Sequence, residues 1–476
     1  MIVSRFYEPT LAQTSYLIGC AATGEALVID PNRDIERYLE DAAREGLSIT
    51  HVTETHIHAD FLSGARELAA RTGARLYLSD EGDADWKYQF AGEGTLIRHG
   101  DRITVGRILI DVVATPGHTP EHVTFLITDS AAADQPIAAA TGDFVFVGDV
   151  GRPDLLERAA NIKGTMEKGA RTLWRSLQAF NAHEDWLQIW PGHGAGSACG
   201  KGISAVPYST LGYERRFNWA FRLTDEQAFV DEVLAGQPEP PKYFAMMKRL
   251  NKVGPRLLGG FHAPARLDDH RLLDLLAHGA LVVDTRATGE YAAEHLPGTI
   301  NIPLNRQFVT WAGWLLPYDA DLHFIVDRVT DAHAVELVRQ LALIGLDRVA
   351  GAAEAGVVQR AAERGHQVGT VPQITVETLA GQLAAREAVV IDVRSQSEWD
   401  GGHLPTARHI PLGYLGDRLA DVPNDQPVVV QCQAGARSAI AASVLRRAGR
   451  TNVTNLVGGF ASWKGAGLPV VMPSPA

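Results

Sequence analysis

Thr55-His56-Ile57-His58-Ala59-Asp60-Phe61 decides how the first half of this chain is read. It follows the apolar run 49–53, so two imidazoles and a carboxylate stand at alternating positions where a strand stops. Alternate side chains at a strand end point the same way. His56, His58 and Asp60 can therefore converge on one point in the crevice beyond the strand's carboxyl end. Nitrogen donors beside a hard oxygen donor suit a first-row transition metal.

The flanking sequence repeats this arrangement. Strands are predicted over 15–18, 26–30, 75–78, 107–115, 123–128, 137–141 and 187–190. Helices are predicted over 35–45, closed by Gly46, and over 63–72, capped by Gly73. Three of the strands run into Pro116-Gly117-His118-Thr119-Pro120, Gly142-Asp143-Phe144 and Pro191-Gly192-His193-Gly194. Each candidate ligand thus lies just past an apolar run. Strands mixed with helices in this way imply two sheets flanked by helices.

At 476 residues and 46% hydrophobic composition the chain has material for two to four domains. The 44 Lys and Arg against 56 Asp and Glu leave a net charge of −12, and the pI is near 5.8. That balance argues against a nucleic-acid footprint and an anionic membrane surface. No apolar run approaches the ~18 residues of a membrane span. Met1-Ile2-Val3-Ser4-Arg5-Phe6 lacks the charged and apolar regions of a signal peptide. Cys20, Cys199 and Cys432 are scattered and odd in number. They form no disulfide framework and point to a reducing, cytoplasmic compartment, where a lone cysteine can be a nucleophile.

Gln237-Pro238-Glu239-Pro240-Pro241 reads as the onset of a linker over 241–264, because clustered prolines propagate neither helix nor ladder. An internal repeat follows. Val282-Val283-Asp284-Thr285-Arg286, Glu290-Tyr291, His295-Leu296-Pro297 and Ile302-Pro303-Leu304 recur as Val390-Ile391-Asp392-Val393-Arg394, Glu398-Trp399, His403-Leu404-Pro405 and Ile410-Pro411-Leu412. Both copies read as small α/β units, over 265–368 and 374–472, joined by 369–372. In the second copy an apolar strand delivers Gln431-Cys432-Gln433-Ala434-Gly435-Ala436-Arg437-Ser438, a loop of small residues leading into an apolar helix. Backbone N–H groups at that helix start stabilise a thiolate or persulfide. Gly435 permits the tight curve, and Arg437 adds positive charge. Aligning Gly345 with Gly449 sets Arg328 opposite Cys432, Asp331 opposite Gly435 and His333 opposite Arg437, so the first copy has no thiol there.

The His-x-His-x-Asp stretch, both Pro-Gly-His turns and Gly142-Asp143 together resemble the metallo-β-lactamase superfamily over residues 1–240. The usual dinuclear pattern of that superfamily has a histidine where this chain has Phe61. With that departure, and with Gly151-Arg152-Pro153-Asp154, the domain resembles persulfide dioxygenases. The resemblance implies one Fe(II) per chain, held by His56, His118 and Asp143, with His58, Asp60 and His193 orienting ligands or water around it. Two imidazoles and one carboxylate leave positions for O2 and substrate, whereas Zn²⁺ has no redox chemistry. Arg152, Tyr208, Tyr213, Arg215 and Arg216 are candidates for a rim that binds an anionic thiol carrier such as glutathione or coenzyme A. Cys199 is a candidate carrier of sulfane sulfur.

The Cys432 loop, with Asp392-Val393-Arg394, Glu398-Trp399 and Gly458-Gly459-Phe460-Ala461-Ser462-Trp463, looks like rhodanese. That makes Cys432, Gly435 and Arg437 the transfer residues, and the first copy a degenerate unit with a structural or docking role. The expected fold class is α/β: an N-terminal metallo-β-lactamase αββα sandwich, then two rhodanese-like α/β domains. The order resembles persulfide dioxygenase–sulfurtransferase fusions. It implies oxidation of a thiol persulfide by O2 to sulfite and thiol, with sulfur passed through Cys432 to give thiosulfate, in sulfide detoxification. A homo-oligomer is expected, and neither nucleic acid nor membrane as a partner. Two other readings stay open: a zinc-dependent thioester hydrolase of the glyoxalase-II type with a rhodanese appendage, and a non-catalytic sulfur carrier or sensor.

Overall fold

Apolar runs separated by short turns build two six-stranded sheets in the first part of the chain. The computed structural model describes residues 1–155, 157 and 164–472. The chain divides into one unit of Met1–Phe261 with Ala342–Gly345, and a second of His262–Leu341 with Leu346–Ala476.

In the first unit, β1 (Ile2–Glu8), β2 (Gln13–Cys20), β3 (Glu25–Ile29), β4 (Ser48–Thr53), β5 (Arg75–Ser79) and β6 (Thr95–Ile97) pair in that order, antiparallel up to β3 and parallel from there. The other sheet runs β7 (Arg102–Val105), β8 (Ile108–Ala114), β9 (Val123–Asp129), β10 (Ala138–Gly142), β11 (Gln188–Pro191), β12 (Ser209–Thr210), with only β10 and β11 parallel. Tyr16, Ile18, Leu27 and Ile29 of one sheet meet Ile103, Ile110, Phe125 and Ile127 of the other in a single buried cluster. The helices Glu36–Arg44 and Ala65–Thr72 cover the first sheet's outer face through Tyr38, Ala42 and Leu68. Thr165–Phe180 and Glu226–Leu234 cover the second through Leu173, Leu177, Phe229 and Val233. The result is an αββα sandwich, and both sheets bury a face on each side.

One segment differs from expectation. Residues 241–264 do not all form a linker: Tyr243–Val253 is an α-helix that buries Tyr243, Phe244, Met247 and Asn251. The prolines that suggested a linker end the preceding segment, and the helix starts immediately after them. Among the described residues, no helix is long and apolar enough to cross a membrane.

The second unit holds two five-stranded parallel sheets of one topology. The first comprises β13 (Ala265–Arg266), β14 (Leu281–Asp284), β15 (Ile300–Asn301), β16 (Leu322–Val326) and β17 (Val349–Glu354), in the order β13-β17-β16-β14-β15. The second comprises β18 (Gln373–Ile374), β19 (Val389–Asp392), β20 (Arg408–His409), β21 (Val428–Gln431) and β22 (Val453–Leu456), in the order β18-β22-β21-β19-β20. The repeated motifs do the same structural work in both. Arg394 chelates Asp392, donates to Gly402 O at 2.8 Å and lies 4.0 Å over the Phe460 ring. Arg286 chelates Asp284 and donates to Glu294 O. Ion pairs taken out of water in this way are tolerated where further hydrogen bonds, here to Gly402 O and Glu294 O, add to the pairing.

The ladder corrects the alignment of the two copies. Asp284 pairs with Ile325 as Asp392 pairs with Gln431, and the Thr285 and Val393 N–H groups donate to the Ile325 and Gln431 carbonyls. The residue in Cys432's place is therefore Val326, not Arg328. Counted from the paired Ile325 and Gln431, the first copy has one residue more before its helix Asp331–Ala342 and one more between that helix and Gly345, so an alignment back from Gly345 and Gly449 is two residues out.

Candidate metal centre and sulfur-transfer loop

Four strand ends of the first unit deliver the candidate ligands. β4 leads to His56 and His58, β8 to His118, β10 to Asp143 and β11 to His193. One ligand atom from each of His56, His118 and Asp143 lies within 4.8 Å of the others, and all three residues are buried. His118 Nε2 is 3.5 Å and His56 Nε2 4.0 Å from Asp143 Oδ2. Gly192 makes this possible, since a Cβ there would lie 2.8 Å from Asp143 Oδ1.

The ring nitrogens that turn away from this point are tied down. His118 Nδ1 meets Arg152 O at 2.9 Å, and His56 Nδ1 meets the Thr55 hydroxyl at 3.0 Å. The inward atoms are not: His56 Nε2 and both Asp143 oxygens are buried without a hydrogen-bond partner. Orphaned buried polar atoms are costly, and a cation between them would satisfy all three. Burial pushes His56 well below the usual imidazole range, reinforced by His58, and lowers His118 too. Burial opposes the charge on Asp143, but His193, His56 and His118 hold its carboxyl well below the usual range. Neutral imidazoles beside an ionised carboxylate are the forms a metal takes, so the residues fit a metal.

Around this cluster lies support that the sequence motifs did not mark. Asp30 accepts from the Thr55 N–H at 2.6 Å and the Thr55 hydroxyl at 2.8 Å, and meets His58 Nε2 at 3.1 Å. Burial works against a charge on His58, yet Asp30 prevails and raises it to about 9. His122 Nε2 accepts the Asp143 N–H at 3.2 Å. Asn251, on the helix expected to be linker, donates to His58 O and Phe61 O, both at 2.8 Å, and accepts the Ser63 N–H at 2.9 Å. Phe61 is buried with its ring 4.3 Å from that of His58.

Asp60, His193 and Cys199 form a second buried group whose ligand atoms lie within 4.8 Å of one another. His193 Nε2 sits 3.2 Å from Asp60 and 3.3 Å from Asp143, with Nδ1 on Ala12 O. Against burial, these two carboxylates push His193 well above its usual range. Burial, with Asp143 and Asp60 nearby, pushes the Cys199 thiol up. A thiol held protonated is a weaker nucleophile than a thiolate.

The residues expected to form a substrate rim meet other partners. Arg152 is fully buried, chelates Asp154 at 2.7 and 2.8 Å and donates to Ala198 O; it serves the site through its own carbonyl on His118. Arg215 pairs with Asp185, Asn181 and His183 O. Tyr208 and Tyr213 are exposed, and the Tyr213 ring packs 4.8 Å from Phe217. Among the described residues, no hydrogen bond or ion pair joins Tyr208, Tyr213, Arg215 or Arg216 to the metal cluster.

In the second unit, Cys432 is buried at the end of β21. Its Sγ accepts the Gly435 N–H at 3.1 Å and lies 3.5 Å from the Ser438 hydroxyl. Gly459, at φ 55°, passes so close that a Cβ would lie 2.1 Å from Cys432 O. Arg437 binds Glu398 through two 2.6 Å bonds. The helix Ala436–Arg447 is buried from Ser438 to Leu445. A helix apolar all round needs cover on both sides. Its own sheet gives one, and the first copy gives the other through β15, whose Asn301 N–H donates to Ser443 Oγ at 2.9 Å.

The metallo-beta-lactamase superfamily profile matches residues 9–188, and the rhodanese-like domain profile matches residues 375–466. The chain therefore belongs to the metallo-beta-lactamase superfamily, with a rhodanese-like domain at its C-terminus. Within that class it is similar to the crystal structure of a metallo-beta-lactamase from Staphylococcus aureus subsp. aureus COL, with 41% identity, a TM-score of 0.66, and coverage of 74% of this chain and 99% of that one. It is 38% identical over 104 residues to a sulfurtransferase of Allochromatium vinosum, covering 22% of this chain and 97% of that protein. It is 32% identical over 178 residues to hydroxyacylglutathione hydrolase of Rhodospirillum rubrum, covering 37% of this chain and 60% of the relative. It is 29% identical over 164 residues to the mitochondrial persulfide dioxygenase ETHE1 of Bos taurus, covering 34% of this chain and 59% of the relative. The chain spans 46% to 64% of the length of the first four curated relatives it matches.

Proposed function

We propose that the first unit oxidises the terminal sulfur of a low-molecular-weight thiol persulfide with O2, yielding sulfite and thiol, and that Cys432 transfers sulfane sulfur, giving thiosulfate when sulfite is the acceptor. Glutathione and coenzyme A persulfides are the substrate candidates. The observation that carries this reading is the three-residue cluster of His56, His118 and Asp143 beside a buried Phe61, where a second nitrogen donor would otherwise stand. Fe(II) held by these residues would supply the redox chemistry that zinc lacks.

The chain's own groups prepare that site. Thr55 and the Arg152 carbonyl fix the two imidazoles with Nε2 inward. Asp30 anchors Thr55 and His58 together, so the loop after β4 cannot rotate one ligand without the others. His193 Nε2 stands between Asp60 and Asp143, where it would serve to hold or move a proton beside the metal ligands. At the other site, the Gly435 N–H steadies the Cys432 Sγ itself.

A second reading, a two-metal thioester hydrolase, is favoured by the Asp60, His193 and Cys199 group and by the likeness to a hydroxyacylglutathione hydrolase. The division of labour is tested with Cys432→Ser. That variant should keep persulfide-dependent O2 uptake and lose sulfur transfer; loss of both together would contradict two separate sites.

A further inference from the structure

A cavity of about 600 Å³ lies within the second unit, bordered by both copies of the repeat. Ligands in open α/β sheets sit beyond the carboxyl ends of the strands. In the second copy that edge carries Cys432. In the first copy the thiol is gone, yet the space at the ends of β14 and β16 is kept: Thr285, Val326, Asp327 and Arg328 line it. The volume is that of a small-molecule site.

The lining has a definite chemistry. Among the described residues, Arg328 has neither a hydrogen bond nor an ion pair. His333 has its Nδ1 on the Thr330 hydroxyl at 2.6 Å, which leaves Nε2 available. Arg437 reaches the cavity from the second copy, on the first turn of the helix that follows the Cys432 loop. Two guanidinium groups and an imidazole thus share the cavity with one carboxylate, Asp327, and Trp311 and Ile440 provide apolar wall. Arg437 is already paired with Glu398, so Arg328 is the guanidinium left to meet a carboxylate or phosphate.

We propose that this cavity binds an anionic low-molecular-weight thiol, bearing carboxylate or phosphate, as the partner of Cys432 in sulfur transfer; this rests on the transfer chemistry proposed for Cys432. The bound thiolate attacks the terminal sulfur of the Cys432 persulfide. A bond forms between the two ligand-side sulfurs, the bond to Sγ breaks, and its electron pair stays on Sγ as thiolate. The transferred sulfur keeps its proton, and the ligand leaves as its own hydropersulfide, with no net oxidation. The copy that lost its cysteine thereby keeps a recognition role for the copy that retained it.

The test is calorimetric titration of the full chain carrying Cys432→Ser, which cannot turn over, with glutathione and with coenzyme A. Saturable binding of one probe is expected, and its identity distinguishes carboxylate from phosphate recognition. Adding Arg328→Glu should weaken binding about tenfold or more, with Arg328→Lys intermediate. Unchanged affinity in the Arg328→Glu protein, or no binding of either probe, would overturn the proposal. If Arg328→Glu melts early, Arg328→Gln serves in its place under the same criterion. Arg328-dependent binding in a chain whose unmutated form transfers no sulfur would sink the transfer reading and leave the cavity's ligand class standing.

Discussion

Asn251→Ala should loosen the metal loop from a position that has no ligand of its own. The side chain is 1% exposed and satisfies three backbone groups, His58 O, Phe61 O and the Ser63 N–H. Each buried group left unpaired costs about 1–3 kcal/mol. Water entering the vacated space would recover part of that, so the expected loss for the first unit is about 3–5 kcal/mol. Asn251→Leu fills the space and excludes water, and should fall at the upper end. Both groups left orphaned on the His58–Phe61 stretch flank the candidate ligands, so metal retention should fall together with stability. The assay is denaturant unfolding of the full chain, with metal release followed alongside fluorescence, because two units need not unfold in one step. A loss below about 1 kcal/mol with full metal retention would refute the reasoning.

Two further substitutions probe the sites directly. Phe61→His puts a nitrogen donor next to Asp60 in the chain and beside the His58 ring, and should raise the bound metal from about one to about two ions per chain by elemental analysis; a stoichiometry that stays at one would show that Phe61 does not set the count. Burial opposes ionisation of Glu398, but pairing with Arg437 prevails and lowers its carboxyl from the ordinary 4.5 to about 2. The pairing therefore supports the fold fully above about pH 4.5 and is lost as the pH falls from there towards about 2. The second unit's melting temperature should drop across that window, and less so in Glu398→Gln; parallel pH profiles would contradict it.

His56, His118, Asp143 and His193 were legible because each follows an apolar run, and a strand end is where a sandwich of two sheets gathers its side chains. Cys432 was legible for the same reason. What sequence could not give was whatever depends on distance across the fold. Asp30, at the end of β3, is joined to Thr55 and His58 only because β3 and β4 are neighbours. His122 carries no motif and meets Asp143 through the turn between β8 and β9. Asn251 was hidden by the prolines before its helix. Arg152 suggested an anion rim by its place in the Gly151-Arg152-Pro153-Asp154 motif and Arg215 by its charge, but Asp154 and Asp185 already neutralise them. Val326 stands in Cys432's place because strand register, rather than the distance back from a shared glycine, fixes the equivalence.

The most direct test of the account is the metal content of protein purified without oxygen, paired with O2 uptake and sulfite formation on addition of glutathione persulfide. One iron per chain, with O2 consumed and sulfite released, is the predicted result. Two zinc ions, or an iron-replete chain that leaves O2 untouched, would contradict it.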